Sequence, residues 1–192
     1  MLQMVVLTLV APSPTGRDLT SKSARKASIL GGGNVVSVLL QGGCPCDAVR
    51  FQITEVFDTG YCRCNRCREQ TGAPVSAFVV VPRAAVTLLT GELVAEPWER
   101  LGQGMICESC RGKVCFDMGD RNLVSIGIGR LDEPARVRPT FHQCVSSKLP
   151  WLEIDDSLPR FGENTISHPK ERESPIVADP GSFEQATGGN LV

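Results

Sequence analysis

From residue 35 to residue 128, apolar side chains recur in short runs, either alternating with polar ones or standing together between turn residues. Residues 35–40 form a Val/Leu-rich run that ends at Gly42-Gly43, and residues 49–53 alternate with period two. Residues 77–81 are stopped by Pro82, and residues 86–89, 113–116 and 123–128 repeat the pattern. Such runs predict strands. No segment carries a long helical repeat; the exception is a short turn of helix over residues 67–71, where charged positions follow a cysteine cluster. The expected class is mainly β, with two or more small antiparallel sheets packed together.

Charge divides the chain in three. Residues 1–33 hold Arg17, Lys22, Arg25 and Lys26 against Asp18 and end in Gly31-Gly32-Gly33, which predicts a flexible basic leader. A mitochondrial transit peptide is the minor alternative, since the first sixteen residues lack Lys and Arg. Residues 163–192 carry five acidic and two basic side chains among several prolines and glycines, an expected acidic, flexible tail. Residues 34–162 are nearly neutral, contain all nine cysteines and are the expected domain.

A net charge of −1 speaks against a general nucleic-acid binder. The apolar run at residues 1–11 is too short to cross a bilayer. The expected partner is a small molecule, with neither membrane nor nucleic acid.

The cysteines fall into three clusters: Cys44-Pro-Cys46, Cys62-Arg-Cys64-Asn-Arg-Cys67 and Cys107-Glu-Ser-Cys110. Close spacing lets one tight turn present two thiolates to one ion. A disulfide framework fits less well, because cysteines one residue apart rarely pair and nine is odd. Free thiolates also suit a reducing compartment, so the expected location is the cytoplasm. Seven clustered cysteines divide as four plus three. One arrangement joins 44/46 to 107/110 as a closed site and leaves 62/64/67 as a three-ligand site with an open position. In the other, Cys115, Cys144 or His142 closes the second site. Cys115, in an apolar strand pattern, reads as a core residue, and Cys144 also reads as spare.

A longer series of motifs resembles a known family. Gly42-Gly43-Cys44-Pro45-Cys46-Asp47-Ala48-Val49-Arg50-Phe51 is similar to the opening of the glutathione-dependent formaldehyde-activating enzymes, also called the centromere-protein-V-like family. The cysteine triplet with Arg68, Thr71-Gly72-Ala73-Pro74, Leu89-Thr90-Gly91-Glu92-Leu93, Gly129-Arg130-Leu131-Asp132-Glu133-Pro134 and Ser147-Lys148-Leu149-Pro150-Trp151-Leu152 follow in order. The resemblance implies an Mss4-like β fold with zinc knuckles and two zinc ions. Cys44, Cys46, Cys107 and Cys110 would hold a structural zinc; Cys62, Cys64 and Cys67 would hold a catalytic one with an open position. The implied activity is that of a carbon–sulfur lyase joining glutathione to formaldehyde as S-hydroxymethylglutathione.

Three departures stand out. Asp47 and Arg111 occupy positions where glycine is usual, which predicts a looser structural site, because those turns suit positive φ. Arg63 replaces a histidine common within the triplet, a change that bears on the substrate more than on the metal.

Three thiolates leave a zinc electron-rich, so keeping a substrate thiol ionised suits it better than activating water. Arg63, Arg66 and Arg68 either attract an anionic substrate or pair with Glu55, Asp58 or Glu69. His142 is either a general acid or base at the open site or a structural histidine at a strand end. Trp98 and Trp151 read as packing or pocket walls. No Ser/His/Asp pattern or phosphate loop is present. The leading expectation is thus a zinc lyase-type enzyme acting on an aldehyde/thiol adduct. A tailoring enzyme for a larger carbonyl or sulfur metabolite, and a non-catalytic zinc module, are the alternatives.

Overall fold

A computed structural model describes residues 35–98, 102–164 and 176–177. The expected leader, most of the expected tail, His168 and the side chain of Trp98 lie outside the described residues. Strands dominate, in line with the mainly β, Mss4-like expectation.

One sheet has three strands in the order β1 (Val36–Gly43), β2 (Arg50–Val56), β5 (Val86–Thr90), all antiparallel. The other has seven, in the order β11 (His142–Gln143), β3 (Asp58–Cys62), β4 (Ser76–Pro82), β9 (Leu123–Gly127), β8 (Lys113–Asp117), β7 (Gly102–Cys107), β6 (Leu93–Trp98). Every pairing in it is antiparallel except β11 with β3. A two-stranded ribbon joins β10 (Val137–Arg138) to β12 (Ile176–Val177).

The strand runs expected from sequence correspond to β1, β2, β4, β5, β8 and β9, and the expected helical turn is α1 (Asn65–Thr71). Beyond the two-residue strands β10, β11 and β12, which are too short to carry a pattern, three strands depart from the expectation, each for a local reason. β3 reads Asp-Thr-Gly-Tyr-Cys, and Asp and Gly are poor strand formers. β6 contains Pro97, tolerated because β6 is an edge strand. β7 contains two glycines.

The core forms on both faces of β4. Val79 and Val81 join Leu40, Phe51, Ile53, Val114 and Ile126 between the two sheets. Phe78 and Val80 face the other way, into a cluster with Phe57, Cys62, Leu123 and Phe141. A strand buried on both faces reads as an unbroken apolar run rather than an alternating one, as residues 78–81 do.

β3 carries a close approach that requires glycine: a Cβ on Gly60 would meet the Phe141 ring at 2.7 Å. That contact seats Phe141 against β3 directly before the parallel pairing His142↔Tyr61 and Gln143↔Cys62.

Candidate metal centres

None of the nine cysteines is in a disulfide, and eight of them gather into two groups. In the first, the sulfurs of Cys44, Cys46, Cys107 and Cys110 all lie within 4.8 Å of one another. Cys44 and Cys46 are 3.3 Å apart, and Cys46 and Cys107 3.9 Å. Each pair sits on a tight turn. The Asp47 N–H donates to the Cys44 carbonyl at 3.1 Å, and the Arg111 N–H to that of Cys107 at 3.0 Å. The Val49 N–H points at Cys44 Sγ from 3.3 Å, the kind of amide-to-sulfur bond that favours a thiolate.

Asp47 and Arg111 adopt φ of 58° and 57°, the left-handed conformation expected where glycine is usual. The four sulfurs converge with these two residues in place of glycine. Burial of Cys44 opposes its ionisation, but the Val49 amide and the neighbouring thiols outweigh it and bring that thiol down to about 6. Four thiols at zinc-ligand spacing on two knuckles fit a closed tetrahedral zinc site. The turns belong to different sheets, β1–β2 and β7–β8, so this centre would tie the two sheets together.

The second group lies at the end of β3, beside the aromatic cluster on the far face of β4. Cys62 ends the strand, and Cys64 caps α1, its Sγ accepting the Cys67 N–H at 3.3 Å. Gly72 closes the helix in the left-handed conformation and donates to the Arg68 carbonyl. Cys62 Sγ and Cys64 Sγ are 3.4 Å apart. The third sulfur within 4.8 Å of both belongs to Cys144, not Cys67. Cys67 nonetheless interacts with Cys62 and Cys64. Hydrogen bonds from Cys144, Cys62 and Cys67 hold the Cys64 thiol far below its ordinary value, while Cys67 and Cys144 are pushed up. Cys144, read from sequence as spare, is thus part of the cluster. Cys115 fits its expected place in the core and is pushed up to about 12 by burial.

Arg63, inside the triplet, does not behave as a loop charge. Arg63 is 2% exposed. It donates to His142 Nδ1 at 3.3 Å and to the Leu152 carbonyl at 3.2 Å. His142 is wholly buried, stacked on Tyr61, with Nε2 2.9 Å from the Asp156 carboxylate. Because arginine only donates, Nδ1 accepts and Nε2 carries the proton, a neutral imidazole with both nitrogens engaged. Burial lowers the His142 pKa, against the opposing effect of Asp156. Neither the substrate-facing nor the surface-paired reading of Arg63 matches this placement, and His142 has both ring nitrogens engaged within the protein. Arg68 bridges segments, donating to the carbonyls of Arg63 and Ser147. Trp151, expected as packing or a pocket wall, is 71% exposed. Sequence reasoning missed Asp156; its only signal was a carboxylate soon after the Ser-Lys-Leu-Pro-Trp motif.

The profile of the family described as glutathione-dependent formaldehyde-activating enzyme matches residues 39–147, more than half of the chain and all nine cysteines. The chain belongs to this family. Among solved structures, the crystal structure of a Rhodobacter sphaeroides protein is similar at 16% identity, covering 63% of this chain and 98% of its own, with a TM-score of 0.39. No curated protein matches the chain significantly. Among the described residues, no helix is long and apolar enough to cross a membrane.

Proposed function

We propose that the protein is a zinc-dependent, carbon–sulfur lyase-type enzyme acting on an aldehyde/thiol adduct, with glutathione and formaldehyde as the reference pair. The observation that carries this reading is the second thiol cluster, lying within a segment that belongs to an aldehyde-activating family. Cys62, Cys64 and Cys67 would hold a catalytic zinc, and Cys44, Cys46, Cys107 and Cys110 a structural one. Bound there, zinc would keep a substrate thiol ionised at neutral pH.

The chemistry itself is simple. The substrate sulfur bonds the carbonyl carbon while the C=O electron pair moves to oxygen, which takes a proton; the reverse direction breaks the C–S bond. The chain holds the reacting groups together, which lowers the entropic part of the barrier. Arg63 and His142 act as positioning residues. Arg63 sits between two of the cysteines, and its bonds to His142 and Leu152 hold that turn against the segment after β11. The arginine that replaces the usual histidine lies inside the protein, so it does not reshape a substrate wall.

The test is turnover of formaldehyde with glutathione by Cys64→Ser. Loss of turnover with an unchanged far-UV CD spectrum supports an enzyme. Full turnover by Cys64→Ser, or by protein whose second centre is empty of metal, refutes it. Turnover with bulkier carbonyl compounds but not with formaldehyde would indicate a tailoring enzyme.

A further inference from the structure

The geometry points to Cys144 as a fourth thiolate of the second centre, so that in the resting protein this centre is closed by sulfur rather than open to water. The inference rests on the reading of that centre as a zinc site but goes beyond the three-cysteine ligand set.

Tertiary structure brings Cys144 there. Its segment follows β11, whose parallel pairing with β3 sets Gln143 opposite Cys62. The Arg63 N–H then donates to the Gln143 carbonyl at 3.1 Å. Cys144 therefore emerges beside the Cys62–Cys64 turn, and the three sulfurs lie within 4.8 Å of one another. Around a tetrahedral zinc with bonds of about 2.3 Å, sulfurs stand about 3.8 Å apart, so these three already stand close to ligand spacing.

The backbone is built to hold this position. Cys144 has φ 57° and ψ 37°, a left-handed conformation that costs a non-glycine residue about 1 kcal/mol or more. Among the described residues three others that are not glycine share it, and two of them, Asp47 and Arg111, lie in the knuckles of the first centre. The strained turn is anchored on three sides. The Cys144 N–H donates to the Glu163 carbonyl, the Val145 N–H to that of Phe161, and Arg68 of α1 to that of Ser147.

The chemistry of the cluster points the same way. Cys62 is buried in an apolar cluster, and Cys64, Cys67 and Cys144 pack against the same cluster. Four thiols gathered on apolar surface suit a dication that would bind them as thiolates. Four thiolates on one zinc leave a charge of −2, partly offset by Lys113, which lies within Coulomb range of Cys67.

A closed centre changes how a substrate thiol enters. A substrate thiol would then have to displace one of the chain's own sulfurs, passing its proton to the thiolate it replaces. Cys144 is the one sulfur of the four that comes from a separate segment, while Cys62, Cys64 and Cys67 share one turn and helix.

The test uses the full chain loaded with cobalt(II) or zinc(II), comparing wild type with Cys144→Ser and Cys144→Gly. Glycine favours the left-handed turn, so Cys144→Gly removes the sulfur without adding strain. Cys115→Ala serves as the control for loss of a thiol outside the clusters. Both Cys144 variants should lose about one-eighth of the thiolate-to-cobalt charge-transfer intensity, as expected if two four-thiolate sites become one four and one three. Their d–d bands should shift, and zinc affinity of the weaker site should fall by roughly tenfold or more against a chelator indicator, at least what loss of an outer-shell partner costs. Spectra and affinity identical to wild type in Cys144→Gly would overturn the inference. Turnover, measured on the same samples, judges the enzymatic reading separately: a changed cobalt spectrum in proteins that are all inactive leaves Cys144 a ligand and removes the lyase.

Discussion

The Arg63 guanidinium lies 3.3 Å from Nδ1 of His142, 79 residues further along the chain, with both side chains almost wholly removed from solvent. This bond continues through Nε2 to Asp156, so one buried line of polar groups joins the cysteine turn, β11 and the segment after Trp151. Arg63→Ala should leave His142 Nδ1 and the Leu152 carbonyl without their donor and destabilise the fold by about 2–4 kcal/mol. Arg63→Lys should recover little, because an ammonium lacks the guanidinium's fork. Urea denaturation of the three proteins measures this, and equal midpoints for Arg63→Ala and wild type would contradict it.

The knuckle residues predict a gain rather than a loss. Arg111 holds φ 57° without a glycine's freedom. Arg111→Gly should stabilise the protein by about 0.5–1 kcal/mol, the relief of left-handed strain less glycine's larger entropy in the unfolded chain. Asp47→Gly should give less, since Asp tolerates this conformation better. A thermal scan should show Tm rising by about 2–4 °C for Arg111→Gly. A fall would mean that the Arg111 side chain contributes more than its backbone costs.

Metal removal should act on the fold as well as on the chemistry. Cys44 and Cys46 sit on the β1–β2 turn of one sheet, Cys107 and Cys110 on the β7–β8 turn of the other. A strong chelator, or Cys107→Ser, should therefore lower Tm sharply and loosen the contact between the sheets. Hydrogen exchange should report it first in residues 44–49 and 107–112. Unchanged protection there after metal loss would show that packing alone joins the sheets.

Cys115 predicts an alkaline limit. Burial holds its thiol up at about 12, above the unfolded value of about 8.5. The folded state therefore favours the protonated thiol. Its contribution is fully present below pH ~8.5 and is lost as pH rises towards 12, at up to about 1.4 kcal/mol per pH unit. Cys115→Ala should flatten that decline relative to wild type while lowering stability at neutral pH through a small cavity. Denaturant midpoints between pH 7 and 10 provide the measurement. Parallel slopes for the two proteins would show that other groups set the limit.

What could be read from the sequence depended on how far apart the interacting residues lie. The strands β1, β2, β4, β5, β8 and β9 carry their own patterns, because alternation and turn residues act over a few positions. β3 does not, since its Asp and Gly are acceptable only once Phe141 packs over Gly60 and neighbours pair on both sides. The pairs Cys44/Cys46 and Cys107/Cys110 announce themselves by spacing, and their convergence matches the set implied by resemblance. Arg63 was misplaced for a plain reason: arginine is almost always exposed, and only His142 and Leu152, supplied from elsewhere, make its burial tolerable.

The sequence by itself thus determined the β class, the three cysteine clusters and the neutral charge of the domain, each from local stereochemistry or composition; the left-handed turns at Asp47 and Arg111 were legible only through the resemblance to a family that carries glycine there. Tertiary structure alone decided that Cys144 joins Cys62 and Cys64, that Arg63 and His142 turn inward, and that the first centre bridges two sheets. Those outcomes depend on the parallel pairing of β11 with β3 and on the packing of one sheet against the other, contacts between residues tens of positions apart.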